Sequence, residues 1–292
     1  MNLSELYRTA TTEEIKYFQE VLYPLQDRVL EICSHNPDLY LTGGTALSRF
    51  YYNHRLSEDL DLFIQIKKSD DLFMINNIKH AGIIAQDLKG QFEKEFIIDN
   101  EYYSEYYARL VVKNINTEVK IDFVREYNHY GEFGKTDSGI LLNNLEDMCG
   151  NKISAFEERA EIRDIIDLYY LSKKFPLERM FKIADLKRVP VQFENLLTIN
   201  LFGIKGRALM LDEINSNDLE KFINDLKEAT EKEIKKKEAE AMNQITDHVR
   251  RYLWDFPPED RNINKYSKPV LTNRLNKMPL PIRRAIEKAI EA

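Results

Sequence analysis

Two short stretches of the chain alternate apolar and polar residues with the period of a β-strand. In DLDLFIQI, residues 59 to 66, Leu60, Leu62, Ile64 and Ile66 fall on one side and Asp59, Asp61, Phe63 and Gln65 on the other. In Glu118 to Arg125, Val119, Ile121 and Phe123 face one way and Lys120 and Asp122 the other. Each pattern describes a strand with one buried face and carboxylates on the opposite face. Upstream, Ile15, Phe18, Val21, Leu22, Leu25, Val29 and Ile32 recur at helical spacing behind Thr11 or Thr12 and Glu13-Glu14, and Asn36-Pro37 closes that helix. Leu39 to Thr42 then meets Gly43-Gly44, and Thr45 to Tyr52 resumes as a helix, giving strand, glycine turn, helix.

Between the two alternating stretches the pattern predicts a helix from about Ser69 to His80 and strands near Gly82 to Leu88, Phe92 to Ile98 and Tyr103 to Val112. After Asn144 the strand signal stops. Helices are expected over Leu145 to Ala160, Ile162 to Lys174 and most of the remainder, including a long one capped by Asp218 with Leu219, Phe222, Ile223 and Leu226 as its apolar stripe. The expected fold is α+β: a mixed sheet with flanking helices over residues 1–175, divided at Pro176 from a helical unit over 176–292. A length of 292 residues fits two such units.

Composition narrows the class. With 43% hydrophobic and 31% charged residues, 10 Gly and 9 Pro, the chain can bury a core and is neither collagen-like nor low-complexity. The net charge of −7 is unevenly spread: residues 1–175 carry 20 basic and 30 acidic side chains, residues 176–292 carry 22 and 19, and the last stretch, 261–292, carries 8 and 2. An acidic half suits cations and a basic end suits a polyanion, although a solvated helical surface accounts for the same counts. Two cysteines, Cys33 and Cys149, support neither a disulfide framework nor a zinc knuckle and fit a reducing cytoplasm. No apolar run approaches the roughly 18 residues that would span a bilayer, so no membrane association is expected.

The chemistry concentrates in LTGGTALSRFYYNHRLSEDLDLF, residues 41–63. Gly43-Gly44 lets backbone N–H groups approach an anion, and Thr45 opens a helix whose positive end favours a phosphate. Asp59 and Asp61, two residues apart on one strand face, form a like-charge pair that protons or divalent cations must neutralise. Their hard oxygens point to Mg²⁺ or Mn²⁺ rather than zinc. With Asp122 on another strand's polar face, the set matches two-metal phosphoryl transfer. Lys152, Phe156, Arg159 and Arg163 share one face if a single helix carries them all past Glu161. The five histidines show no ligand spacing, and neither a P-loop nor a Rossmann fingerprint occurs. Tyr102, Tyr103, Tyr106 and Tyr107 suit base stacking and ordinary strand packing equally.

GGTALSRF (43–50), RLSEDLDLF (55–63), KIDFV (120–124) and KISAFEERAEIRDIIDLYYL (152–171) together resemble the AbiEii family of abortive-infection and toxin–antitoxin toxins, which includes the MenT toxins, within the DNA polymerase β superfamily of nucleotidyltransferases. The likeness covers residues 36–175. It implies an NTP with its triphosphate against Gly43, Gly44 and Thr45, metals on Asp59 and Asp61, and Asp122 as third carboxylate, ligating metal and drawing a proton from the attacking hydroxyl. It further implies Lys152 as the helix lysine that neutralises phosphate charge, and Asp164 and Asp167 as supports of the site. Residues 45–58 make a longer separation between turn and carboxylates than in compact superfamily members. Gly44 stands where many have serine, so a hydroxyl contact to phosphate would fall to Thr45 or Ser48.

The function this implies is Mg²⁺-dependent transfer of an NMP to an acceptor hydroxyl, an RNA such as a tRNA 3′ end, by a cytoplasmic toxin that an antitoxin neutralises. Lys265, Lys268, Arg274, Lys277, Arg283 and Arg284 would contact the RNA phosphates. The alternatives are transfer to a small molecule or protein, and a non-catalytic nucleotide-binding module.

Overall fold

In the computed structural model, which describes residues 5–66, 80–126, 128–187, 191, 193–199, 204–254, 280–281 and 283–284, the two alternating stretches lie side by side at the centre of one sheet. The chain opens with β1 (Tyr7–Thr9), then α1 (Thr12–Tyr17), which winds through a π-helical segment (Phe18–Leu22) into α2 (Tyr23–Cys33). Thr11 and Glu14 close a reciprocal capping box at its start. There follow β2 (Leu39–Thr42), α3 (Gly43–Thr45) continued by a π-helical segment (Ala46–Tyr52), β3 (Leu60–Gln65), α4 (Ala81–Phe92), β4 (Ile97–Tyr103), β5 (Tyr107–Lys113) and β6 (Glu118–Glu126). The remaining elements are β7 (Gly134–Lys135), β8 (Leu141–Leu142), α5 (Leu145–Arg159), α6 (Ile162–Ser172), α7 (Leu177–Lys187), α8 (Glu194–Leu197), β9 (Ala208–Met210) and α9 (Ser216–Trp254).

The main sheet is mixed, in the order β4-β5-β6-β3-β2-β8-β7, with β3 parallel to β6 and antiparallel to β2. Its apolar face carries Leu60, Leu62 and Ile64 of β3, Val119, Ile121 and Phe123 of β6, and Ala108, Leu110 and Val112 of β5, all buried. Helices α2 and α4 pack on that face. The opposite face therefore bears the polar residues of the same strands, and the site forms there.

The segment from residue 80 to residue 98 departs from expectation. Gly82 to Leu88 is helical, not extended: Ala81, Ile84, Ala85, Leu88 and Phe92 of α4 are buried at intervals of three and four residues. Read in isolation, its short apolar run satisfies either period. Phe92 to Ile98 is mostly the turn after α4, and strands form only at Ile97–Tyr103 and Tyr107–Lys113, joined as a hairpin by Ser104, whose hydroxyl and N–H both donate to the Tyr107 carbonyl. The expected helix over Ser69 to His80 lies outside the described residues except for His80, which precedes α4 in an extended conformation.

The second part of the chain also holds a strand. β9 pairs in parallel with β1, and Leu56 N–H donates to Leu209 while Leu211 N–H donates to His54. β9 thus ties the N-terminal strand to the loop before β3. At the start of α9, Asn215 rather than Asp218 caps, its side chain accepting from Asn217 N–H while its carbonyl accepts from Asp218 and Leu219. Among the described residues, no helix is long and apolar enough to cross a membrane.

Candidate active site

The strand registers align one row of side chains across five strands. Thr42, Asp61, Asp122, Arg109 and Tyr102 are successive cross-strand partners on β2, β3, β6, β5 and β4. Side chains directly opposite one another stand on the same face, so Asp61 and Asp122 are neighbours on the polar side. Arg109 grips Asp122 through Nε at 2.7 Å and Nη2 at 3.1 Å, and the Tyr107 hydroxyl donates to the same carboxylate at 2.8 Å. Lys120 lies 2.7 Å from Asp59 and 3.9 Å from Asp122. Burial pushes the Asp61 carboxyl above its ordinary range, and the charges of Asp122 and Asp59 add to this against Lys152 and Arg159.

The glycine turn is shaped by this acid. Gly43 has φ 71°, in the left-handed region, and a Cβ there would overlap the Asp61 carboxylate; a Cβ on Gly44 would strike the Arg55 guanidinium. Thr42, ahead of the helix, gives no side-chain cap to its first turn, because its hydroxyl accepts from Asn143 Nδ2 at 2.8 Å. Thr45 is buried; its hydroxyl donates to the Asp59 carbonyl and lies 2.9 Å from Ser57 Oγ, which fixes the entry to β3. Ser48 is buried too, with its hydroxyl directed back to the Thr45 carbonyl at 3.5 Å, so it does not reach the cavity.

Behind the turn lies a buried ion network. Lys152 on α5 sits 2.9 Å from Asp164 and 2.6 Å from Asp167, both on α6 and both fully buried. Arg159 holds Asp164 at 2.7 and 2.8 Å, Arg55 holds Asp167 through two bonds of 2.8 Å, and His54 Nε2 meets Asp167 at 2.8 Å. Burial would raise both acids, yet Arg55 and Lys152 hold Asp167 well below the carboxylate range, and Lys152 and Arg159 lower Asp164. The same pairs outweigh the cost of burying the Lys152 ammonium and raise its pKa. Burial lowers His54 despite Asp167.

Lys152 and Arg163 do not share a helix. Ala160 ends α5 in a left-handed conformation (φ 52°), Glu161 turns the chain, and Arg163 on α6 pairs with Glu161 at 2.8 Å. The break is what lets Asp164 and Asp167 fold back onto Lys152.

These groups line one polar cavity. Its walls carry six cations, Arg55, Arg109, Lys120, Lys152, Arg159 and Arg163, against four acids, Asp59, Asp61, Asp122 and Glu161, with Gly44 and Ser57 between them. The excess of positive charge suits a polyanion beside the carboxylates. Asp164 and Asp167 stand behind the wall. A larger cleft between Tyr7–Thr9 and Glu213–Ser216 shares no lining residue with this one. Among the described residues, no three His, Cys, Asp or Glu side chains are grouped closely enough to hold a metal ion by themselves. Asp59 is turned to Lys120, and Asp122 to Arg109 and Tyr107.

Arg109, Arg55 and His54 belong to the site without having been singled out by sequence, and Tyr107, expected only as a stacking or packing ring, enters it through its hydroxyl. Arg109 and Tyr107 were reachable by alternation along YARLVVK, but their partner depended on the β5–β6 register, which local sequence does not encode. Of the basic residues expected to contact RNA, Lys265, Lys268, Arg274 and Lys277 lie outside the described residues. Arg283 and Arg284 stand 3.4 Å from Glu194 and Glu238.

A mixed sheet with flanking helices, paired acids on its polar face and a glycine turn at its edge is a nucleotidyltransferase architecture. The chain belongs to the AbiEii family of nucleotidyl transferase toxins of type IV toxin–antitoxin systems, whose model matches residues 27–259. It is a nucleotidyltransferase, as is its structural neighbour MenT4, a nucleotidyltransferase toxin from Mycobacterium tuberculosis H37Rv. That neighbour is 14% identical with a TM-score of 0.50, over 72% of this chain and 82% of that one. JHP933 from Helicobacter pylori is 18% identical with a TM-score of 0.43, over 77% and 96%. An uncharacterized protein of Aquifex aeolicus (strain VF5) is 25% identical over 189 residues, 63% of this chain and 82% of the relative.

Proposed function

We propose that this nucleotidyltransferase moves an NMP from an NTP to the terminal hydroxyl of an RNA, tRNA 3′ ends in particular, with Mg²⁺ or Mn²⁺ as cofactor. The observation that carries this reading is the cross-strand pairing of Asp61 with Asp122 directly beside the Gly43 turn. The oxygen of the acceptor forms a bond to the α-phosphorus, the bond to the bridging oxygen breaks, and pyrophosphate leaves. Asp122 takes the acceptor proton. The uncapped first turn at Gly43, Gly44 and Thr45 receives the triphosphate through backbone N–H groups, and Lys152 and Arg159 offset its charge from the α5 side. Because its hydroxyl is already used, Thr45 acts through its backbone, and Ser48 supports the helix. Asp164 and Asp167 position Lys152, and Asp167 also positions Arg55.

The carboxylates of Asp59, Asp61 and Asp122 are an all-oxygen donor set suited to hard divalent ions, and two of them already hold the cationic ends of Lys120 and Arg109. Asp61 and Asp122, partners on adjacent strands, are the pair best placed to share an ion, with Asp59 just ahead of β3. When bound, such ions would neutralise phosphate charge and clamp the attacking and leaving oxygens.

Every cavity residue lies between 44 and 163, which supports assigning catalysis to residues 1–175 and a helical unit with a basic tail to 176–292. The family's type IV system supports a cognate antitoxin as partner. Growth arrest of the host cell, as in abortive phage infection, is the role we assign, in the cytoplasm. The test is incubation of the purified protein with each radiolabelled NTP, total RNA and Mg²⁺. Label on RNA, abolished by Asp61→Asn with the fold retained, is the expected result. Label on protein or small molecules, or none, would overturn the RNA assignment.

A further inference from the structure

The polar face of the sheet does not end at its acids. The row that begins at Thr42 and passes through Asp61 and Asp122 continues through Arg109 to Tyr102 on the outermost strand. Strand alternation divides the tyrosine cluster. Tyr103 turns to the other face and packs against the core, its hydroxyl donating to Glu101, and Tyr106 sits in the hairpin turn beneath Arg125. Tyr102 and Tyr107 stay on the face of the site, their rings 5.8 Å apart and tilted by 40°, with the Arg109 guanidinium 5.5 Å from the Tyr107 ring. The Tyr107 ring is held by its bond to Asp122, while Tyr102 is 55% exposed. Among the described residues Tyr102 packs against the Tyr107 ring, across from Arg109, and still leaves most of its surface open in line with the acids.

We propose that Tyr102, Tyr107 and Arg109 form a platform on β4 and β5 for the last unpaired bases of the acceptor RNA, delivering its terminal hydroxyl to Asp122. This rests on RNA being the acceptor. The direction follows from in-line displacement, which puts the attacking and leaving oxygens on opposite sides of the transferred phosphorus. Pyrophosphate is held at the Gly43 turn, on the β2 and β3 side. The attacking hydroxyl therefore arrives from the far side of Asp122, across β5 and β4. With strands about 4.8 Å apart, Tyr102 stands about 10 Å from the Asp122 position, the length of about three stacked bases. Aromatic faces stack unpaired bases and Arg109 matches phosphate, so the platform takes a single-stranded end of any sequence and leaves a blunt duplex unread.

The experiment compares the full chain with Tyr102→Ala and Tyr102→Trp. Fluorescence anisotropy follows binding to an RNA hairpin carrying a four-nucleotide 3′ overhang and to the same hairpin made blunt, and steady-state transfer assays give KM for RNA and for NTP. Tyr102→Ala should weaken overhang binding by about 5- to 150-fold, the value of one base–aromatic stack, and raise KM for RNA alone. Tyr102→Trp should restore both, and the blunt hairpin should bind weakly to all three. Overhang binding unaltered by Tyr102→Ala, or a rise in KM for NTP in place of RNA, would overturn the platform while leaving RNA as acceptor. If the unmutated chain binds and labels neither RNA, the acceptor assignment fails and the platform with it.

Discussion

Replacing Gly43 by alanine separates the two jobs of the glycine turn. The residue sits at φ 71°, so any side chain there incurs the left-handed penalty of about 1–2 kcal/mol. For a chain of this size that corresponds to a Tm lower by about 2–3 °C. The larger effect is local. The new methyl would occupy the space of the Asp61 carboxylate and shift it from its place beside Asp122 by about an ångström, a displacement that commonly costs about 10²-fold in rate. Gly139→Ala supplies the control: it shares the strain at φ 86° but meets only Ser34 at ordinary contact distance, near the opposite end of β2 from the site. Differential scanning fluorimetry and NMP-transfer assays on both variants should show similar losses of Tm, with activity lost in Gly43→Ala alone. Full activity in Gly43→Ala would refute the close packing of turn against acid on which the site's geometry rests.

Other substitutions sort the acids by task. Asp167→Asn strips the buried Arg55, Lys152 and His54 of their shared partner and should cost about 3–5 kcal/mol, read by chemical denaturation. Asp61→Asn should abolish transfer yet melt no lower than the unmutated protein, since burial already disfavours the charge at that position; a large loss of Tm would contradict this. Acid should unfold the protein in two stages. His54 is lowered in the fold, so stability begins to fall as pH drops below about 6.5, where the unfolded chain takes the proton first. Asp167 and Asp164 are lowered as well, so their contribution is complete above about 3.9 and is lost as pH falls through their folded values. Denaturation midpoints across pH 2–8 (about that span, set by the same reference values) should lose the upper stage in His54→Asn. Saturating Mg²⁺ with a non-hydrolysable NTP should raise Tm, by about 2.7 kcal/mol of stability at a hundredfold excess over Kd, and the rise should vanish in Asp61→Asn.

The parts of the fold that sequence revealed are those whose period is unambiguous over enough residues. Leu60–Gln65, Glu118–Glu126 and the helical stretch Phe18–Cys33 each present a single buried face, and the glycine turn announces itself between strand and helix. α4 is ambiguous in sequence because seven apolar-rich residues satisfy both periods, and its identity is decided by what it covers, the Ala108–Val112 face of β5. β1 and β9 escaped because three-residue strands far apart in sequence exist only through their pairing. In the site, the acids were visible along their own strands. The cations that answer them, Arg109 to Asp122 and Arg55 to Asp167, come from elements whose placement is a tertiary fact. The boundary between the helices at Ala160 and Ile162 is legible in the pattern, whereas the left-handed conformation of Ala160 that makes the turn is not, since alanine adopts it only where the fold imposes it.

The loop that carries Arg55 has no regular structure of its own and is stitched along β9, whose other edge is stitched to Tyr7–Thr9. The beginning of the chain is therefore mechanically in series with the guanidinium beneath Gly44. A pull on Tyr7–Thr9, whether from a fusion tag or from a binding protein gripping that edge, would be passed through β9 to Arg55 and the glycine turn above it.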